Sequence, residues 1–131
     1  MSPDQVLAAA NGSARKSTDE DRKGYYGSDN IKLVGNYKTM GFDFFVQFWF
    51  CELKLCKVML RQSDTIQERD VIYALRQSYG DPVRTDMVLF TRLFWNDKAK
   101  GNSIELLSDT SSGKFLVITY TPLSDKKDGG L

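Results

Sequence analysis

The run Phe42-Asp43-Phe44-Phe45-Val46-Gln47-Phe48-Trp49-Phe50 constrains this chain more than any other stretch. Its aromatic and β-branched enrichment makes residues 43–50 a strand. Period two then sets Val46, Phe48 and Phe50 on one face and Phe45, Gln47 and Trp49 on the other. A strand carrying large side chains on both faces belongs in a sheet. If helices cover only one side of that sheet, the other keeps an apolar patch.

The remaining elements follow from local signals. Ser2-Pro3-Asp4-Gln5 carries a cap, a first-turn proline and a capping-box glutamine, and Asn11-Gly12 supplies a left-handed exit, so a short helix is expected over 3–11. Residues 13–30 are polar, glycine-punctuated and rich in both charges, which reads as a mobile loop. Ile31–Tyr37 alternates weakly as a strand, and Leu55–Arg61 returns antiparallel to 43–50 after a tight turn near Glu52-Leu53-Lys54. A second helix is expected at 65–79, capped by Thr65 with Glu68 or by Asp64 and ended by Gly80-Asp81-Pro82; Ile72, Leu75 and Tyr79 form its sheet-facing stripe. Val88–Trp95, Ser103–Ser108 and Lys114–Thr121 read as three further strands joined by turn-rich segments.

This order, a helix and three strands followed by a helix and three strands, predicts an α+β fold in which two helices pack on an antiparallel sheet. The halves, 1–60 and 61–123, are of similar length and suggest a duplicated unit within one domain over 1–123, with 124–131 as a flexible tail. A chain of 131 residues buries roughly two-thirds of its unfolded surface and needs no metal for stability.

Composition narrows the chemistry. The chain contains no histidine, which removes Ser-His-Asp, Cys-His and HExxH arrangements and zinc-finger Cys/His sets. Charge is spread evenly: residues 1–60 carry eight basic and seven acidic side chains, and 61–131 carry ten of each. Nucleic acid, which needs a clustered positive face, is therefore not expected as a partner. No apolar run approaches the ~20 residues of a spanning helix. Neither a cofactor nor a metal site is expected, there being no phosphate-cradling glycine loop and no dinucleotide fingerprint. Carboxylate pairs such as Asp43 with Glu105, or Lys57 with Glu52, are not singled out by spacing, and no catalytic residue is assigned.

The opening Met1-Ser2-Pro3-Asp4-Gln5-Val6-Leu7 resembles the G-M-T-x-x-Q-V-L helix start of small bacterial envelope proteins, including BamE/SmpA-type lipoproteins and secreted proteins of the β-lactamase-inhibitor-protein type. Leu75-Arg76-Gln77-Ser78-Tyr79-Gly80-Asp81-Pro82, followed by Trp95, Ile104-Glu105-Leu106 and Val117-Ile118-Thr119-Tyr120, is similar to a pattern of exported bacterial proteins. The resemblance covers about a third of the chain. It implies helices on an antiparallel sheet and a non-catalytic binding role in the envelope, periplasmic or secreted after removal of a signal peptide, and it transfers no catalytic residue. The start itself has no basic region and no apolar run of signal-peptide length, so a cytoplasmic location stays open.

Candidate binding residues are Phe45 and Trp49 on the sheet, with Phe94 or Trp95 beside them, and Tyr25 and Tyr26 in the polar loop, where aromatic residues can anchor a protein partner. Simple core packing is the competing reading for each. Cys51 and Cys56, spaced across the predicted hairpin turn, are placed for a disulfide, as a buried thiol pair or, less readily, as a reactive or metal-binding pair; a bridge would favour an oxidising compartment. Two functions remain: an adaptor acting through the aromatic sheet face, and a small-molecule binder with a pocket between helices and sheet. A His-independent enzyme is a weaker third.

Overall fold

Eight strands hydrogen-bond into one antiparallel sheet in the order β1-β2-β3-β4-β8-β7-β6-β5. The computed structural model describes residues 2–10, 12–25, 27–63, 65–110 and 114–123. The strands are β1 (Ala14–Lys16), β2 (Ile31–Thr39), β3 (Phe42–Cys51), β4 (Lys54–Gln62), β5 (Arg84–Asp86), β6 (Thr91–Asp97), β7 (Asn102–Asp109) and β8 (Phe115–Pro122). Three helices accompany them: α1 (Pro3–Ala9), α2 (Asp19–Arg22) and α3 (Glu68–Tyr79).

This overturns the expected α+β fold of two helices packed on a sheet. Strand accounts for 49% of the described residues and helix, with the short turn Ser28–Asn30 included, for 22%. Each half supplies four strands, so the helix-and-three-strands unit is not what is built. The extra strands come from stretches read otherwise. Residues 14–16 lie in the supposed loop and pair with β2, while Val88–Trp95 divides into an exposed loop and β6, with β5 preceding them. Both added strands are three-residue edges, too short to show period two. The supposed loop also forms α2 and the turn Ser28–Asn30. The 124–131 tail lies outside the described residues.

Local rules explain the helix ends. In α1 the Ser2 hydroxyl accepts from the Gln5 N–H at 3.3 Å and the Gln5 side chain accepts from the Ser2 N–H at 2.8 Å, the expected capping box. In α3 the Thr65–Glu68 box does not form; Asp64 lies outside the described residues. The Gln62 side chain takes its place, its Oε1 accepting the Gln67 backbone N–H at 3.0 Å and its Nε2 donating to the Gln67 side-chain Oε1 at 2.9 Å. Glu68 is thereby free to accept from Ser108 Oγ at 2.7 Å, tying the helix start to β7. The helix ends at Gly80, whose φ of +84° suits glycine.

The main core sits between α3 and the sheet. Val71 and Leu75 pack on Phe44, Val46, Leu60, Leu93, Trp95, Ile104, Leu106, Leu116 and Ile118. By contrast, α1 contributes Val6, with the partly buried Leu7, to a smaller cluster with Leu33 and Phe50. A third cluster, on the opposite face, joins Ile31, Val34 and Trp49 under Tyr25. At the β3–β4 turn, Glu52 and Leu53 both have positive φ. Trp49 pairs with Lys57 and Phe50 with Leu55, so β4 carries one extra residue there, Cys56. That bulge sets Cys56 beside Cys51 at an S–S distance of 2.06 Å.

Candidate functional site

Because side chains alternate along each strand, the face opposite α3 can be read from the strand pairings. Phe45, Gln47 and Trp49 of β3 lie across from Arg61, Met59 and Lys57 of β4. Arg61 and Met59 adjoin Val117 and Thr119 of β8, which adjoin Leu107 and Glu105 of β7. Leu107 and Glu105 in turn adjoin Arg92 and Phe94 of β6. Among the described residues, α1 and α3 both pack on the other face. The segment before β2 covers part of it, setting Tyr25 and the Gly27 backbone against Trp49 and its neighbours.

The centre of the face is cationic and ring-lined. Lys57 Nζ stands 4.2 Å from the Trp49 ring centroid, and the Arg61 guanidinium lies 4.5 Å from that of Tyr25. Arg61 Nε donates to Gln47 Oε1 at 2.7 Å. Burial pushes the Lys57 ammonium below its ordinary pKa, and the Arg61 charge adds to this. Burial likewise pushes Arg61 down, opposed by Tyr25. Among the described residues no carboxylate forms an ion pair with either cation. Gln47 Nε2 and Trp49 Nε1 are buried without a hydrogen-bond partner among the described residues. Towards β5 the pattern changes: Arg92 pairs with Glu105 at 3.0 Å, and Arg84 stacks 4.1 Å over Phe94.

The structure separates the expected aromatic residues. Phe45 and Phe94 are half-buried on the open face. Trp49 shares that face but is only 6% exposed, so it is floor and not surface. Trp95 is fully buried on the helix side, its indole N–H donating to the Gly80 carbonyl at 2.8 Å. Tyr25 folds back onto the domain, and Tyr26 lies outside the described residues. Asp43 and Glu105 are kept apart by β4 and β8, each beside its own cation, Lys38 and Arg92. Among the described residues no group of three or more Cys, Asp or Glu could hold a metal, and no helix is long and apolar enough to cross a membrane.

One feature escaped the sequence. Met87, Val88 and Leu89, with Phe90, form an exposed loop between β5 and β6, Val88 and Leu89 being 87% and 83% exposed. The run Met87-Val88-Leu89-Phe90 lacks alternation, and that was its only warning. On the helix side, a groove of about 470 Å³ opens between α1 and α3, with Val6 and Ala10 on one wall, Tyr79 on the other, and Phe48, Val58 and Tyr120 in its floor. Burial, with Tyr79 beside it, raises the Tyr120 hydroxyl well above the ordinary phenol range, so it stays protonated. No family model, curated protein or solved structure matches the chain; the envelope resemblance rests on its short motifs.

Proposed function

We propose that this chain is a non-catalytic binding module that engages a protein partner through the open face of its sheet. One observation carries the reading: among the described residues, Lys57 and Arg61 stand without carboxylate partners, on the same face as the half-exposed apolar side chains Phe45, Met59 and Leu107. Part-buried cations with no counter-charge are costly to keep, and a partner's carboxylates between those apolar contacts would supply what is missing. The partner surface is accordingly acidic with an apolar centre. Its site is the bacterial envelope, where an oxidising compartment suits the Cys51–Cys56 pair.

The test places a photo-crosslinking residue at Phe45 or Phe94, and as control at Tyr73, which is exposed on α3, in the cells that make the protein. The first two positions should give an adduct of one discrete mass and Tyr73 none. The adduct should disappear in the K57E/R61E double variant. An adduct from Tyr73 alone, or none from the open face, overturns the reading.

A second reading, a small-molecule binder, is favoured by the α1–α3 groove. Its volume and its apolar floor with tyrosine hydroxyls suit a compact, largely apolar ligand. An anilinonaphthalene sulfonate dye should then bind the native protein and be excluded by Val58→Trp, which fills the groove.

A further inference from the structure

The two edges of the sheet differ in what they offer another strand. β1 carries Ala14-Arg15-Lys16, with Arg15 and Lys16 exposed. Paired antiparallel with itself about Arg15, it would set cation against cation, and charged residues of this kind keep sheet edges from joining. The other edge, β5, carries Arg84-Thr85-Asp86, all exposed and flanked by Val83 and Met87 at 65% and 66% exposure. Among the described residues nothing lies beyond it in the sheet.

We infer that β5 pairs with β5 of a second copy of this chain, antiparallel about a two-fold axis through Thr85. The sequence Val83-Arg84-Thr85-Asp86-Met87 is palindromic in chemistry. In that register Arg84 faces the partner's Asp86 and Asp86 faces the partner's Arg84, while Thr85 meets the partner's Thr85 and Val83 meets the partner's Met87. Opposite charges, threonine pairs and apolar pairs set directly across are the combinations that stabilise antiparallel strands. Other registers lose this. Centring on Arg84 opposes two arginines, centring on Asp86 opposes two aspartates, and a shift of half a pair sets Val83 against Asp86 or Arg84 against Met87.

The charges are available for the purpose. Among the described residues no ion pair involves Arg84 or Asp86; Asp86 Oδ1 accepts only the Val88 N–H at 3.2 Å, and Arg84 rests on Phe94. The exposed loop from Met87 to Phe90 then packs over the partner's Pro82 and Val83, supplying the apolar area that three residues of strand lack. The interface is isologous, as two-fold dimers require. It leaves the centre of the open face uncovered, so it holds whether or not that face binds a protein.

Sedimentation equilibrium of the full chain from ~1 to ~100 μM tests this. The wild type should pass from monomer to dimer and no further. Asp86→Arg, which sets arginine against arginine at two symmetric places, should weaken self-association about tenfold or more. The swap R84D/D86R, which reverses every charge but keeps the palindrome, should restore it. All three proteins should keep the same far-ultraviolet circular dichroism, since both positions are exposed. A wild type monomeric throughout, a D86R variant that dimerises like the wild type, or a swap that fails to recover would each overturn the proposal.

Discussion

Trp95 and Phe94 are neighbours in β6 and face opposite ways. Trp95 is buried against α3 and the sheet, its one polar atom satisfied by Gly80, whereas Phe94 lies half-exposed under an arginine with no helix above it. The same contrast runs across the sheet. On the helix side, the buried polar groups Gln62 and Ser108 have partners in Gln67 and Glu68. On the open side, among the described residues, Gln47 Nε2 and Trp49 Nε1 have none, and Lys57 and Arg61 lack counter-charges. A face whose polar groups are all paired serves stability; one that leaves them unpaired gives up stability where a partner can restore it.

The widest gap between the faces should appear on truncating these neighbours. Trp95→Ala is expected to cost ~3–5 kcal/mol in urea denaturation, and Phe94→Ala ~1 kcal/mol or less. Equal costs would break the comparison. Gly35→Ala, on the helix face at β2, should cost ~1–3 kcal/mol, because a Cβ there would lie 2.0 Å from the Ser13 carbonyl oxygen. That oxygen is backbone and cannot move aside without releasing β1, so hydrogen exchange at residues 14–16 should rise with the loss.

The bridge at the β3–β4 turn is next. Replacing both Cys51 and Cys56 by serine opens a loop of sequence separation 5, and should cost ~2 kcal/mol on the loop-entropy account. On the open face, Lys57→Ala removes one cation–ring contact but also a part-buried cation without a counter-charge, so the two effects offset and stability should shift by ~0.5 kcal/mol or less, while the photo-adduct at Phe45 weakens.

The smallest effect is local. Asp21 is held well below the usual carboxylate range by the Arg15 guanidinium, and further by the Thr18 N–H. A depressed folded pKa means its contribution is fully present above about pH 4, the ordinary aspartate value, and is lost as pH falls towards the folded value. Exchange protection of β1 and α2 should therefore fade only in acid, and Asp21→Asn should remove that pH dependence without moving the global midpoint.

Much of this was legible before the structure. The alternation of Phe45, Gln47 and Trp49 against Val46, Phe48 and Phe50 named the two faces correctly, and the Ser2–Gln5 box formed as written. The half-buried rings Phe45 and Phe94 were on the page; Met59, Arg61 and Leu107 were not, since nothing in a chain says which strand will lie beside which. Trp49 and Trp95 show the same limit from the other side. Their size marked them as anchors, yet one is roofed by a segment some twenty residues earlier in the chain and the other faces α3.

What the sequence determined by itself was local: where backbone caps, turns and alternates; its composition adds that a chain without histidine builds no Ser-His-Asp, Cys-His or HExxH arrangement. Those follow from interactions a few residues long. What only the tertiary structure decided was the joining of β4 to β8, the recruitment of residues 14–16 and 84–86 as edges, and the face on which charge is left unpaired. Each depends on contacts between residues far apart in the chain, where a three-residue strand has no period of its own and takes its conformation from the neighbour it meets.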